Sequence, residues 1–228
     1  METTSHTESK KTKSFFQSIG YPKKFRRDVH SLLNFGYKNV KASINANTQE
    51  PTITGRIAKE IDKGLQSIGL LPEALLKPHY VVIPENSEIK LEDLNNIKDE
   101  FIRLDIVILD NRKIPYKRYV IEGKRLKKKN FSQAIDKYCN VGIMHFVDEI
   151  YASDSPEAML VGFWQDEDAK HWFDELTRKF EENEKTMNVD EKLISFKVIP
   201  EISDEWVSIH QRKSGSKIIL FHILLDCQ

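Results

Sequence analysis

The chain has 228 residues, 39% of them hydrophobic and 31% charged, enough apolar material for one large domain with a proper core. Its 35 basic and 35 acidic side chains cancel, so no global field draws it to polyanions, and any nucleic-acid contact must come from local clusters. Two cysteines, Cys139 and Cys227, exclude a disulfide framework, lack metal-ligand spacing, and fit a reducing compartment.

Residues 1–13 are polar and basic without periodicity and read as a disordered tail. The opening Met1–His6 has no apolar core of a signal peptide, and no window is long enough to span a bilayer. A cytoplasmic location without membrane contact is expected. From 14 to 44 the chain reads as an N-terminal helical segment. Phe15, Phe16, Ile19, Phe25, Val29, Leu32 and Leu33 recur at helical spacing, interrupted by Gly20 and Pro22, with Gly36 as a stop. A second helical stretch is expected from Tyr37 into 45–49. A third starts at Glu50, where Pro51 suits a first turn and Ile53, Ile57 and Ile61 form one stripe.

Strand signals follow at Tyr80–Pro84, Phe101–Leu109 and Arg118–Leu126, the last two joined by a turn over Asn111–Pro115. Phe131–Ile150 then reads as a long helix, Ala158–Trp164 as a short apolar strand and Asp166–Lys185 as a charged helix. The latter has Trp172, Phe173, Leu176 and Phe180 on its buried side. Leu193–Val198, Trp206–Arg212 and Lys217–Leu225 close the chain as strands. This order predicts an α/β fold, a mixed central β-sheet flanked by helices.

The chemistry concentrates in the middle strands. Asp105 interrupts an apolar run, and Glu122 and Lys124 are two apart on the next strand, hence on one face of the sheet. Two carboxylates on central strands are costly to bury unless they share a cation. Hard oxygen ligands of this kind hold Mg²⁺ or Mn²⁺, with the Ile121 carbonyl available to complete the shell. Lys124 can orient or deprotonate an attacking water, or stabilise charge developing on phosphorus. A basic cluster brackets these residues: Lys117 and Arg118, then Arg125, Lys127, Lys128 and Lys129. Gln133 and Lys137 stand one helical turn apart just beyond it, while acids concentrate between Asp166 and Glu191. Arg125, Lys127, Lys128, Lys129, Gln133 and Lys137 are therefore the expected nucleic-acid contacts.

Other residues invite simpler readings. Ser208, His210 and Arg212 share a strand face and fit a hydrogen-bond network. His222, inside an apolar strand, reads as a core histidine, and His145 as a partly exposed helix position. Trp164, Trp172 and Trp206 read as core, and no histidine pair has zinc-ligand spacing. Ser and Cys nucleophile motifs and Gly-rich phosphate loops are absent.

The order of an acid near an early helix (Glu50), Asp105 in a strand, and Glu122-Gly123-Lys124 in the next resembles the PD-(D/E)XK, or restriction endonuclease-like, nuclease superfamily. The resemblance covers roughly residues 45–226. It departs from the family pattern at Leu104, which stands where the name-giving proline would be. Gln133 and Tyr138 are five apart, against the four-residue step of exonuclease-type members. A looser likeness to small nucleases of bacterial and phage-defence loci rests on several short stretches. These are Tyr138, Gly142, Ile143 and Phe146, then Met159–Phe163, Ser208–Arg212 and Phe221–Asp226.

The resemblance implies a restriction endonuclease-like core over 45–228 behind the helical extension, and a Mg²⁺- or Mn²⁺-dependent endonuclease cutting DNA in host defence. Its catalytic set would be Glu50, Asp105, Glu122 and Lys124, with Glu60 the competitor of Glu50 as first-helix metal ligand. A homodimer would let two sites cut two strands, and a partner protein of the defence system would supply specificity. The alternatives are a catalytically inactive binding or assembly module on the same fold and an RNA-cleaving toxin.

Overall fold

The computed structural model describes residues 20–67, 69–71, 80–84, 105–112, 115–128 and 131–228. The expected tail over 1–13, the helical reading of 14–19, the strand reading of 101–104 and Lys129 lie outside them.

Alternating burial builds the sheet. β1 (Tyr80–Pro84), β2 (Ile106–Asp110), β3 (Lys117–Leu126), β4 (Glu157–Trp164), β5 (Val189–Ser195), β6 (Glu205–Gln211) and β7 (Lys217–Asp226) form one mixed sheet in the order β1-β2-β3-β4-β7-β6-β5. β3, β4 and β7 are parallel neighbours at its centre, and the remaining pairings are antiparallel. Side chains leave each strand on opposite faces, so the sheet has two cores. Tyr119, Ile121, Met159, Val161, Phe163, Phe221 and Ile223 pack on one side. Val120, Leu126, Ala158, Leu160, Leu220 and Leu224 pack on the other.

Helices cover both faces. α1 (Lys23–Val40) and α2 (Glu50–Gln66) bury Phe25, Val29, Leu32, Leu33, Ile53, Ile57 and Ile61 on the first. The second is covered by α3 (Phe131–Asp136), which runs through a π-helical turn (Lys137–Ile143) into α4 (Met144–Val147), and by α5 (Ala169–Glu182). Each fully buried Ile or Leu contributes roughly 1.5–3 kcal/mol. Trp172 is buried in this layer, and Trp164 and Trp206 pack half-buried against it.

Several boundaries depart from the sequence reading. Gly36 does not stop α1, which continues to Val40. Its bare Cα lets α2 approach so closely that a Cβ would stand 2.8 Å from the Ile57 carbonyl oxygen and from Ile61 Cγ1. No helix follows over 45–49: the Asn47 amide donates to Asn45 Oδ1 (2.9 Å) and the Thr48 amide to the Asn45 carbonyl (2.9 Å), an asparagine-built turn. The long helix ends at Val147 instead of Ile150, because Glu149 takes φ 62° and leaves helical geometry. β5 starts at Val189, four residues before its expected start, and Asp105 lies immediately before β2.

Candidate active site

Antiparallel pairing of Ile106 with Ile121 sets Asp105 opposite Glu122 across the β2–β3 ladder. The Gly123 amide donates to Asp105 Oδ2 at 2.5 Å. Glu122 and Lys124 leave β3 on the α3–α4 face, where the Lys124 ammonium donates to Glu122 Oε1 and to the Gly123 carbonyl (2.9 Å). Gly123 is what lets these groups meet. A Cβ there would stand 2.7 Å from Phe163, 2.8 Å from Thr54 on α2 and 3.0 Å from Asp105 Oδ2.

Glu50 arrives from the first turn of α2. Its Oε2 accepts the Arg125 amide at 2.7 Å, and its Oε1 lies 3.7 Å from the Lys124 ammonium. The preceding turn is clamped from the sheet. Gln165 Nε2 donates to the carbonyls of Asn45 (3.2 Å) and Thr48 (2.7 Å), and Lys127 Nζ to that of Ala46 (2.7 Å). Gln165 is buried just past β4 and carries no sequence signal beyond a polar residue ending an apolar run. Glu60, further along α2, pairs with Lys63. Of the two glutamates, Glu50 is the one gathered with Asp105, Glu122 and Lys124.

Burial dominates the electrostatics. Asp105, Glu122 and Lys124 are each under a tenth exposed. Burial, then the Glu122 charge, pushes the Asp105 carboxyl up to about 8, against the pull of the Gly123 amide and Lys124. Burial alone would lower the Lys124 ammonium, but Glu122, Glu50 and Asp105 more than offset it and hold it above its ordinary value.

A divalent cation would supply the charge that Asp105 otherwise obtains from a proton, so the donor set fits Mg²⁺ or Mn²⁺ in this respect. Among the described residues, no three His, Cys, Asp or Glu side chains gather closely enough to hold a metal by themselves. The arrangement that fits is two carboxylates completed by water, which suits Mg²⁺. Ile121 sits in the ladder between Ile106 and Met159 with its side chain on the opposite face. The main-chain oxygen bonded to the site's lysine is that of Gly123.

The basic cluster is partly engaged within the chain. Arg125 donates to Gln49 Oε1 (2.7 Å), Lys127 to Ala46, and Lys128 pairs with Glu167 while its amide meets the Asp166 carboxylate. Gln133 and Lys137 are exposed on the helical layer. Arg118 pairs with Asp154.

The histidines divide. Ser208 Oγ lies 2.7 Å from both His210 Nε2 and His222 Nε2, and His222 Nδ1 lies 3.0 Å from the Tyr138 hydroxyl. His210 Nδ1 meets the Met187 carbonyl at 2.8 Å. Burial lowers these imidazoles to about 4 and 3, so this is a neutral core network. His145 instead stands in the field of Lys124, and Tyr151 in that of all four site residues, a position the sequence did not mark.

No protein-family model, no curated protein and no solved structure matches the chain.

Proposed function

We propose that this chain is a metal-dependent nuclease that hydrolyses phosphodiester bonds of DNA, built on a restriction endonuclease-like core. The observation that carries the reading is the buried pair Asp105 and Glu122, set side by side at the start of β2 and on β3 with Lys124 hydrogen-bonded between strand and carboxylate. A protein has little reason to place two acids in such mutual repulsion unless a cation joins them. The defence context, a homodimer and a partner protein rest on the sequence resemblance alone.

Asp105 and Glu122 would hold the Mg²⁺ or Mn²⁺, which when bound supplies a Lewis acid and a water of lowered pKa. Lys124, with its raised pKa, keeps its proton at neutral pH. Its environment therefore favours orienting the water and stabilising charge on the phosphate over removing a proton. Glu50, bonded to the Arg125 amide, fixes the edge of β3 and adds negative charge beside Lys124. The exposed Gln133 and Lys137, with Arg125, Lys127, Lys128 and Lys129, would track the backbone with salt-sensitive, largely sequence-independent affinity.

The inactive binding module is favoured by one observation: Arg125, Lys127 and Lys128 already have partners in the chain. The deciding experiment incubates the protein with supercoiled plasmid, linear DNA and RNA in Mg²⁺, Mn²⁺ or EDTA, beside Lys124→Ala. Metal-dependent cleavage lost in the variant is expected, with thermal stabilisation of the wild type by Mn²⁺. Absence of both cleavage and stabilisation would transfer the assignment to the binding module. Cleavage of RNA alone would make the chain a ribonuclease.

A further inference from the structure

Beside Lys124 and Glu122 stands a loop that the proposed chemistry has not used. The Tyr151 ring packs edge-on against His145 (4.7 Å between centroids, 86°) and Phe146 (5.6 Å, 76°), and its amide donates to the His145 carbonyl at 2.9 Å. Backbone strain brackets it. Glu149 (φ 62°) and Ala152 (φ 50°) both occupy the left-handed region, which costs non-glycine residues of order 1 kcal/mol or more each and persists only where the surroundings impose it.

The surroundings do impose it. Ser214 donates through both its amide (3.0 Å) and its hydroxyl (2.7 Å) to the Glu149 carboxylate. Arg212, 5% exposed, donates to the carbonyls of Ala152 (2.7 Å), Ser153 (3.1 Å) and Ser155 (2.9 Å). Five donors thus fix a short loop in an unfavourable backbone conformation. Among the described residues, none of these bonds uses the Tyr151 hydroxyl. The strain is explained if the position of that ring is itself the purpose.

We propose that Tyr151 is a further substrate-contacting residue, donating its hydroxyl to a non-bridging oxygen of a phosphate held beside Asp105, Glu122 and Lys124. The assignment rests on reading that cluster as a phosphodiester site. Burial, then the charge of Glu122, pushes the phenol up to about 12, so it remains a donor at neutral pH and transfers no proton. A donor set by packing and strain before substrate arrives needs no reorganisation when charge develops on the phosphate.

The test compares wild type, Tyr151→Phe and Lys124→Ala in single-turnover plasmid cleavage, in DNA affinity with Ca²⁺ by fluorescence anisotropy, and in melting temperature. Tyr151→Phe keeps the ring contacts. It should cleave about a hundredfold more slowly with unchanged melting temperature and DNA affinity. Wild-type rates in Tyr151→Phe, alongside loss in Lys124→Ala, would overturn the inference and leave the nuclease reading standing. If the wild type cleaves nothing, the nuclease reading fails, and calorimetry of inorganic phosphate binding in Mn²⁺ decides the rest. About tenfold weaker phosphate binding in Tyr151→Phe keeps the contact. Equal binding, or none by the wild type, overturns it.

Discussion

Two regions of the sheet bury ionic groups, and they do so in opposite ways. On the α1 face, Arg26 donates to both oxygens of Glu157, whose carboxylate also accepts the Tyr21 amide. His30 pairs with Glu205 (2.8 Å), which accepts the Val198 amide as well (2.9 Å). Every acid there meets a basic side chain of its own. At the Asp105 site two acids face each other, and one lysine is shared among three carboxylates. Glu157 is pushed up by burial and pulled back by Arg26, whereas the second influence on Asp105 after burial is the like charge of Glu122. The first arrangement is complete as it stands. The second is incomplete without a cation, and this contrast separates an ionic lock from a reaction site.

Removing one partner from each region should therefore act with opposite signs. Arg26→Met strands Glu157 in the core and is expected to cost about 3–5 kcal/mol in urea unfolding. Asp105→Asn keeps an acceptor for the Gly123 amide while removing the like charge, so metal-free stability should stay level or rise by about 1 kcal/mol or more. That variant should also lose both cleavage and stabilisation by Mn²⁺. Destabilisation of similar size in both variants would dissolve the distinction.

A smaller effect sharpens the same contrast through pH. His210 and His222 titrate near 6.5 when unfolded but at about 4 and 3 when folded. The unfolded chain then binds more protons, and these two groups withdraw stability as pH falls below 6.5. Asp105 works the other way. Its folded value of about 8 exceeds its ordinary 3.8, so acidification through that window favours the folded state. Between about pH 6.5 and 4 the two histidines and Asp105 together leave a slope of about one proton. In Asp105→Asn the slope should rise to about two, or roughly 1.4 kcal/mol more lost per pH unit. Equal slopes in metal-free buffer would remove Asp105 from the account.

How much of this was legible in the sequence follows from the range of each interaction. Strand alternation is local, so the common face of Glu122 and Lys124, the core position of His222 and the mixed sheet between helices could be read directly. The turn at Asn45 was missed because its apolar neighbours mimic a helix, whereas an asparagine side chain decides the backbone. Gly36 misled because helix contact and helix termination call for the same residue. Tyr151 and Gln165 reach the site through loops whose path depends on Arg212 and on the strand order, and neither is encoded in spacing.

Gln165 carries the smallest effect. Its amide bonds the Asn45 and Thr48 carbonyls, and through that turn it determines where α2 begins and where Glu50 stands. Gln165→Ala loses both bonds and should cost about 1–2 kcal/mol. A purely structural role would end there. A positioning role adds a decrease in kcat, about tenfold, at unchanged DNA affinity, because Glu50 loses its fixed approach to Arg125 and Lys124. A double-mutant cycle separates the two. In a Glu50→Ala background, Gln165→Ala should still lower stability by the same amount yet leave kcat where Glu50→Ala alone puts it. A further loss of kcat in that background would mean that Gln165 acts on the site by some route other than Glu50.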